Sequence, residues 1–455
     1  MKHITRLALD ELYEWKKSRN RKPLVIRGAR QVGKTTLIEE FSKTYKHSIT
    51  LNLEHAKDKR YFTEFDNVQT ITEALCISHN IQTTEKKDTL LFIDEIQELP
   101  LAINMLRYFY EKEPELHVIA AGSLLEQAIK KIKSFPVGRV NMLYLHPMNF
   151  LEFLQALGKY KLIEELHNLP IRKEAHQPLL EHFNRYAIIG GMPEVVNRYA
   201  ETNAINDLSP IYESIWETYK SDVMKYATNN SEARIIRHIM RTAHLFIDKR
   251  IKFQNFGNSN YRSREVGESF RNLDDAKVIQ MIYPTTCTAP PLIEDLKKSP
   301  RIQFLDTGLV NYELNIQAEM LELEDLSTAY KGAIIPHLIA QEVISLNLLK
   351  NTKPNFWVRE KNQSSAEVDM IIQYSKMLIP IEIKSGSEGK LKSLHQFIDM
   401  SPHHYAVRMY AGQFSIETHS TPDGKSYFLM NLPYYLGTKL FDYLEYFIFD
   451  SHPKK

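Results

Sequence analysis

Cysteine is almost missing from this 455-residue sequence: Cys76 and Cys287 stand far apart, without metal-type spacing. That excludes a disulfide scaffold and fits a reducing compartment. Each thiol reads as a small buried hydrophobe. An excess of one charge is missing too. Lys and Arg number 58 against 56 Asp and Glu, a formal net charge of +2, so the whole chain makes no electrostatic case for a nucleic-acid or membrane partner. Any such case has to be local. Long apolar runs are absent: the most apolar late tract, residues 434–449, is broken by Lys439, Asp442 and Glu445, which rules out a simple spanning helix. The first ten residues carry charges with no apolar stretch behind them, so no signal peptide is expected, and a cytoplasmic, non-membrane protein is. There is no internal repeat and no low-complexity segment.

What is present is ordinary core-forming material, 43% hydrophobic and 25% charged, in a chain long enough for two to four domains. From residue 24 short strand-like runs (24–27, 48–53, 89–93, 117–121, 140–145) alternate with helix-like segments (34–45, 71–79, 102–112, 124–133). That order predicts an α/β fold, a mostly parallel sheet with helices on both faces, over residues 1–146. After Pro147 the period is helical, broken at Asn168-Leu169-Pro170 and Gly190-Gly191-Met192-Pro193, which predicts a helical lid over 147–230. Short helices fill 231–283, within a segment bounded at 231–300. A mixed α/β region, 301–455, carries strand-like runs at 368–373 and 378–383.

Gly28-Ala29-Arg30-Gln31-Val32-Gly33-Lys34-Thr35, followed by Thr36, satisfies G-x-x-x-x-G-K-[ST] between an apolar strand and a helix. The glycines let backbone N–H groups turn inward on phosphates, and the helix presents its positive end to the same anion. Lys34 is expected to reach the β and γ phosphates and the Thr35 hydroxyl to ligate Mg2+. Leu90-Leu91-Phe92-Ile93-Asp94-Glu95 supplies the second half: Asp94 to hold the metal through its water shell, Glu95 to orient or deprotonate the attacking water. No N-K-x-D guanine signature occurs, which favours ATP.

With these motifs, Val118 to Ser123, Val137-Gly138-Arg139 and Gly190 to Pro193, the sequence resembles prokaryotic P-loop ATPases of the AAA superfamily, in the archaeal-type group with a C-terminal endonuclease-like domain. The resemblance implies that Ser123 senses the γ phosphate and that the Gly138-Arg139 pair is a family feature. Arg139 is then either an arginine finger, which would favour a homo-oligomer, or a surface or lid ion pair. Gly190 to Pro193 reads as a turn in the lid.

Between Ser231 and Gln280 ten Lys/Arg face six Asp/Glu. Helices ending in a basic one and then a strand resemble a winged helix, in which Arg262, Arg264 and Arg271 would meet DNA. The alternative is a solvated basic hairpin, and a protein partner fits as well. Further on, Asp369 is placed at the start of one strand, with Glu382 and Lys384 on one face of the next. This resembles the PD-(D/E)XK arrangement, restriction-endonuclease-like, with Glu342 from a preceding helix as a further acid; a divalent metal would sit on Glu342, Asp369 and Glu382 beside Lys384. The literal Pro-Asp is missing, since Val368 precedes Asp369. A structural strand pair or docking module is the other reading. His395 and Gln396 are candidates to line that site. For the whole chain two readings stand: an ATPase that gates its C-terminal module, or a slow ATP-dependent switch for a protein partner.

Overall fold

Leu24–Arg27 (β1), Thr89–Asp94 (β3) and His117–Gly122 (β4) are near-continuous apolar runs, the signature of parallel strands covered on both faces. In the computed structural model, which describes residues 6–131, 135–136, 138–247, 249–316, 334–361, 364–384 and 391–450, they form the centre of a five-stranded sheet. His47–Asn52 (β2) and Asn141–Tyr144 (β5) complete it in the order β2-β3-β4-β1-β5, every pairing parallel. Val137 and residues 132–133 of the expected fourth helix lie outside the described residues. β1 therefore runs between β4 and β5, and all five strands deliver their C-terminal ends to one edge. Ala8–Lys17 (α1), Lys34–Ser42 (α2) and Pro100–Lys112 (α3) pack on the faces of this sheet.

The next segment is helical: Phe150–Ala156 (α4), His176–Ile189 (α5), Pro193–Thr202 (α6) and Ser209–Ser221 (α7) are its main members. α4 starts in a reciprocal cap, with Asn149 Oδ1 accepting from the Glu152 N–H at 3.0 Å and Glu152 Oε2 from the Asn149 N–H at 3.1 Å. Glu152 Oε1 also accepts from Arg6 Nε at 2.9 Å and the Leu7 N–H at 2.8 Å. Arg6 donates onward to Val32 O (2.9 Å) and His146 O (2.6 Å), so one buried guanidinium ties the loop after β1 to the start of the helical layer.

Asn230–Thr242 (α8) and Ser263–Asp275 (α9) pack together and lead into Ile279–Ile282 (β6), which pairs antiparallel with Arg301–Phe304 (β8). Between them Pro284–Thr285 (β7) joins a second sheet. That sheet adds Asn355–Lys361 (β9), Ser364–Tyr374 (β10), Met377–Ile383 (β11), Tyr405–Tyr410 (β12), Ser415–Ser420 (β13) and Ser426–Pro433 (β14), in the order β13-β14-β12-β11-β10-β9-β7. Thr307–Glu313 (α10), Ile334–Ser345 (α11) and Lys392–Met400 (α12) accompany it.

Gly190 and Gly191 do more than turn the chain. Met148 N–H donates to Gly191 O at 2.7 Å, and a Cβ on Gly191 would stand 1.9 Å from Met148 O. Gly190, at φ +75°, lies against Asp306, and Gly308 against Ile189 O. Asp306, fully buried, accepts from the N–H groups of Gly191 (2.5 Å), Gly308 (3.0 Å) and Leu309 (3.2 Å) and from Gln341 Nε2 (3.3 Å). Burial pushes its carboxyl up to about 6 against the pull of those donors.

Glu342 is also fully buried, on α11, and corrects the expectation that it belongs to a metal site. Its oxygens accept from the Phe150 N–H at 3.1 and 3.2 Å, and Oε1 lies 2.7 Å from the Tyr186 hydroxyl. That hydroxyl also lies 2.9 Å from Met148 O. A hydroxyl has one proton, so when Tyr186 donates to Met148 O the proton on the other bond comes from Glu342. Burial accordingly raises Glu342 from the usual 4.5 to about 8. A carboxyl that holds its proton more tightly folded than unfolded makes stability fall as the pH rises between those two values. Glu342→Gln, which keeps an acceptor and a donor, flattens this slope in melts from pH 5 to 9. Glu342→Ala, which orphans the Phe150 N–H, costs roughly 2–4 kcal/mol at pH 5 and less as the pH rises, because it lacks the carboxyl that makes the parent lose stability.

Candidate functional site

The residues after β1 form a left-handed kink and a cradle. Gln31 and Gly33 take φ of 61° and 88°, and a Cβ on Gly28 would come within 2.3 Å of Leu145 O. The loop closes onto α2, whose first residues are Lys34, Thr35 and Thr36, while Ala29 and Val32 are buried beneath it. Lys34 is folded back: its amine donates to Gly28 O at 3.0 Å and Ala29 O at 2.7 Å. Burial pulls its pKa down to about 8, with the Glu95 and Asp94 carboxylates opposing. An ammonium held by two carbonyls beside two carboxylates is poised to receive an anion of higher charge.

Asp94 and Glu95 end β3 at the same edge. Thr35 Oγ1 donates to Asp94 Oδ2 at 2.9 Å, and Asp94 Oδ1 accepts from the Glu95 N–H at 2.9 Å. Burial raises the Asp94 pKa; the Thr35 hydrogen bond works against it. Glu95 sits at φ +50°, and its carboxylate accepts from Gln97 Nε2 at 2.5 Å. Gly122 leaves room for Gln97, since a Cβ there would stand 2.2 Å from Gln97 Oε1. One residue on, at the end of β4, Ser123 is buried and its hydroxyl has no hydrogen-bond partner among the described residues. The strand order puts these groups together: β4 lies between β1 and β3, so Ser123 ends up between the loop and the Asp94-Glu95 pair.

The loop faces α6 and α7 across a cavity of about 860 Å³. Leu9, Met148, Pro193 and Ile211 give it an apolar wall suited to a base, and Arg198 enters from α6. Among the described residues Arg198 makes only a long pair with Asp207, 3.7 Å, and half its side chain is exposed. Sequence reading missed it, and missed Arg6, because a single arginine on or just before an amphipathic helix carries no spacing signal. Arg30 lines the same cavity and is held toward the helical layer: it pairs with Asp222 at the end of α7 at 2.9 Å and more distantly with Glu54, while its carbonyl accepts from Tyr219.

Arg139 is not at its own cradle. It precedes β5, at the N-terminal edge of the sheet, where it pairs with Glu111 of α3 at 3.1 Å and lies over the Tyr110 ring. The surface ion pair is the arrangement found within one chain.

In the second sheet Asp369 lies inside β10, beside a shift of register between Val368 and Ile371, and not at the strand's start. Its Oδ2 accepts from the Ile383 N–H at 2.8 Å. Glu382 and Lys384 do share a face, joined at 2.5 Å. Burial and then the Asp369 charge raise Glu382 to about 7. Glu342 does not join them: α11 turns Pro336, His337 and Ala340 toward Asp369, and Glu342 occupies the opposite side of the helix. His395 packs on Tyr427 and Gln396 accepts from Arg359, so neither reaches the pair. Among the described residues no three His, Cys, Asp or Glu are grouped to hold a metal ion. No helix among them is long and apolar enough to cross a membrane.

Arg262, Arg264 and Arg271 are exposed on α9, the last paired with Glu268 at 2.6 Å. The structure adds Arg234, Arg237 and Arg241, exposed at i, i+3 and i+7 along α8. That spacing was readable in the sequence.

Residues 180–320 and 331–435 match two families described as domains of unknown function (DUF8612 and DUF4143). No curated protein matches the sequence. Among solved structures the chain is similar to the Walker-type ATPase PABY2304 of Pyrococcus abyssi (14% identity, 69% of this chain and 96% of that one, TM-score 0.43). It is similar also to AMPPCP-bound DnaA from Aquifex aeolicus (16%, 61% and 90%, 0.29) and to Aeropyrum pernix ORC1 in complex with DNA (13%, 68% and 91%, 0.28). Likeness at these scores carries no argument about activity. Residues 20–154 match the AAA domain family, and with the cradle, the carboxylate pair and the five-stranded parallel sheet they form an AAA-type, P-loop ATPase-like domain.

Proposed function

We propose that this chain binds ATP with Mg2+, hydrolyses it, and uses the change at the phosphates to move a helical lid against a C-terminal module that contacts DNA. The observation that carries the reading is the buried Ser123 hydroxyl, without a partner among the described residues, beside Thr35, Asp94 and Glu95, where a γ phosphate would give it one. Thr35 and Asp94, already oxygen to oxygen, fit a hard divalent cation and would hold Mg2+, which neutralises phosphate charge when bound. Lys34 exchanges the Gly28 and Ala29 carbonyls for phosphate oxygens. Glu95 orients the attacking water and takes its proton. Arg139 serves as a finger only across a boundary between copies of the chain, since it stands at the far edge of its own sheet.

The working division is a P-loop core over 1–146, a lid over 147–230, a winged-helix-like segment over 231–300 and an endonuclease-like α/β domain over 301–455. The helix, helix, strand, strand order of α8, α9, β6 and β8 supports the winged-helix reading, with the α8 and α9 arginines as its DNA-facing charges. A slower switch for a protein partner is favoured by one feature: Gln97 engages the Glu95 carboxylate at 2.5 Å, which holds the base off a water.

Turnover assays separate these readings. Lys34→Ala loses ATP binding. Glu95→Gln and Ser123→Ala keep it and lower hydrolysis by roughly 10²-fold or more. Wild-type turnover no faster than that of Glu95→Gln leaves the switch. Stimulation of turnover by DNA joins the two halves of the chain.

In fluorescence polarisation with duplex DNA, replacing Arg234, Arg237 and Arg241 by Ala weakens binding. The slope of log affinity against log salt becomes shallower by about 0.9 for each phosphate that the protein no longer neutralises. An unchanged slope removes α8 from the DNA surface.

A further inference from the structure

Arg301, at the start of β8, reaches out of the two-stranded hairpin into the acids of the second sheet. Its guanidinium bonds Glu367, lies 3.8 Å from Asp369 Oδ1 and covers the Phe356 ring at 4.6 Å. Two neighbours do the same nearby, Arg250 pairing with Glu360 at 2.6 Å and Lys298 pairing with the same carboxylate. Beside Arg301 and Asp369 lies a small cavity of about 30 Å³, bounded also by Phe356 and His337. That is room for one water-sized occupant.

The residues do not suit a resident divalent metal while Arg301 is seated. Asp369 and Glu382 are two carboxylates without a third acid, and Glu382 is already engaged through Oε1 by Lys384. Asp369 and Glu382 meet two cations, Arg301 and Lys384; without Arg301 the pair is left with one uncompensated negative charge. A second observation points to a missing ligand: Glu382 Oε2 is buried, the residue only 6% exposed, and has no hydrogen-bond partner among the described residues. A buried carboxylate oxygen left without a donor is a costly feature unless a cation serves it.

We infer that Arg301 is the built-in cation of the Asp369–Glu382 pair, a guanidinium from the β6–β8 hairpin that keeps a divalent-cation site shut. With Arg301 seated, the pair clasps the hairpin to the second sheet and takes no metal. With the guanidinium gone, Asp369, Glu382 and the adjacent cavity accept one hard divalent ion. The inference goes beyond the ATPase reading and does not depend on it.

The test is Mn2+ binding, followed by electron paramagnetic resonance of the free ion, to the full chain without nucleotide. An Asp94→Asn background removes the P-loop carboxylate from the count. The parent is expected to bind no ion that Asp369→Asn removes. Arg301→Gln is expected to gain one Mn2+ per chain, at least tenfold tighter than any residual binding, and to lose it again on adding Asp369→Asn. Arg301→Met, which keeps the stem packed on Phe356, gives the same result if the Gln variant does not fold. Circular dichroism melts establish folding of each. An ion bound by the parent and lost with Asp369→Asn overturns the inference without any Arg301 variant, and so does a folded Arg301 variant that binds none.

Discussion

The buried Asp306 carboxylate fixes how the halves of this chain meet. Among the described residues it has no ionic partner; three backbone N–H groups and one amide serve it, drawn from the Gly190-Gly191 turn, the first turn of α10 and α11. Two of those N–H groups are the otherwise unpaired donors of a helix N-terminus, so the carboxylate also caps α10. Removing such a carboxylate leaves several buried donors unpaired at once, which is why the glycines around it matter as much as the acid. No side chain fits at Gly191 or Gly308, because the backbones they face are already in contact. The helical segment after β5 and the strand–helix unit β8–α10 are therefore packed main chain on main chain.

From that joint a continuous set of contacts runs back to the phosphate cradle. Gly191 binds Met148, Tyr186 spans Met148 and Glu342, Glu342 takes the Phe150 N–H, and Glu152, on the same helix, takes Arg6, which holds Val32 O inside the loop. Contiguity by itself does not transmit anything. A ligand shifts an equilibrium only through groups it contacts differently in the two states. Under the proposed function those groups are Lys34, bound to its own loop carbonyls, Arg198, weakly paired on α6, and Arg30, paired with Asp222 just after α7. Each has a partner that an incoming phosphate can replace or perturb.

Much of the first domain is legible in the sequence because its information is local. Buried parallel strands are contiguous apolar runs, and a phosphate cradle needs its glycines, lysine and threonine at fixed offsets, so β1, β3, β4 and Gly28 to Thr35 can be read one after another. What escapes is whatever depends on helix phase or on distance along the chain. Glu342 precedes β9 to β11 in the order a nuclease motif asks for, yet one side of α11 faces Asp369 and Glu342 is on the other. Arg139 follows a Gly as expected but lands at the wrong edge of the sheet, since it precedes the strand that it introduces. Arg6 and Asp306 act across more than a hundred residues and leave no local trace.

Charge shows the same limit. The surplus of Lys and Arg between 231 and 280 looks like a single feature in composition, but folding divides the basic residues of this region between two tasks. Arg250, with Lys298 and Arg301 beyond the window, is spent inside the molecule on Glu360, Glu367 and Asp369. Paired charges of that kind hold one element to another and add little to the field outside. Arg234, Arg237 and Arg241 lie instead on one exposed face of α8. The attraction this region can exert on a polyanion therefore comes from that stripe, with a helical repeat of three and four, together with the exposed Arg262 and Arg264, and the first group acts as a fastener. A count of basic residues cannot distinguish the two; the strand pairing of β6 with β8, which carries Arg301 to the second sheet, does.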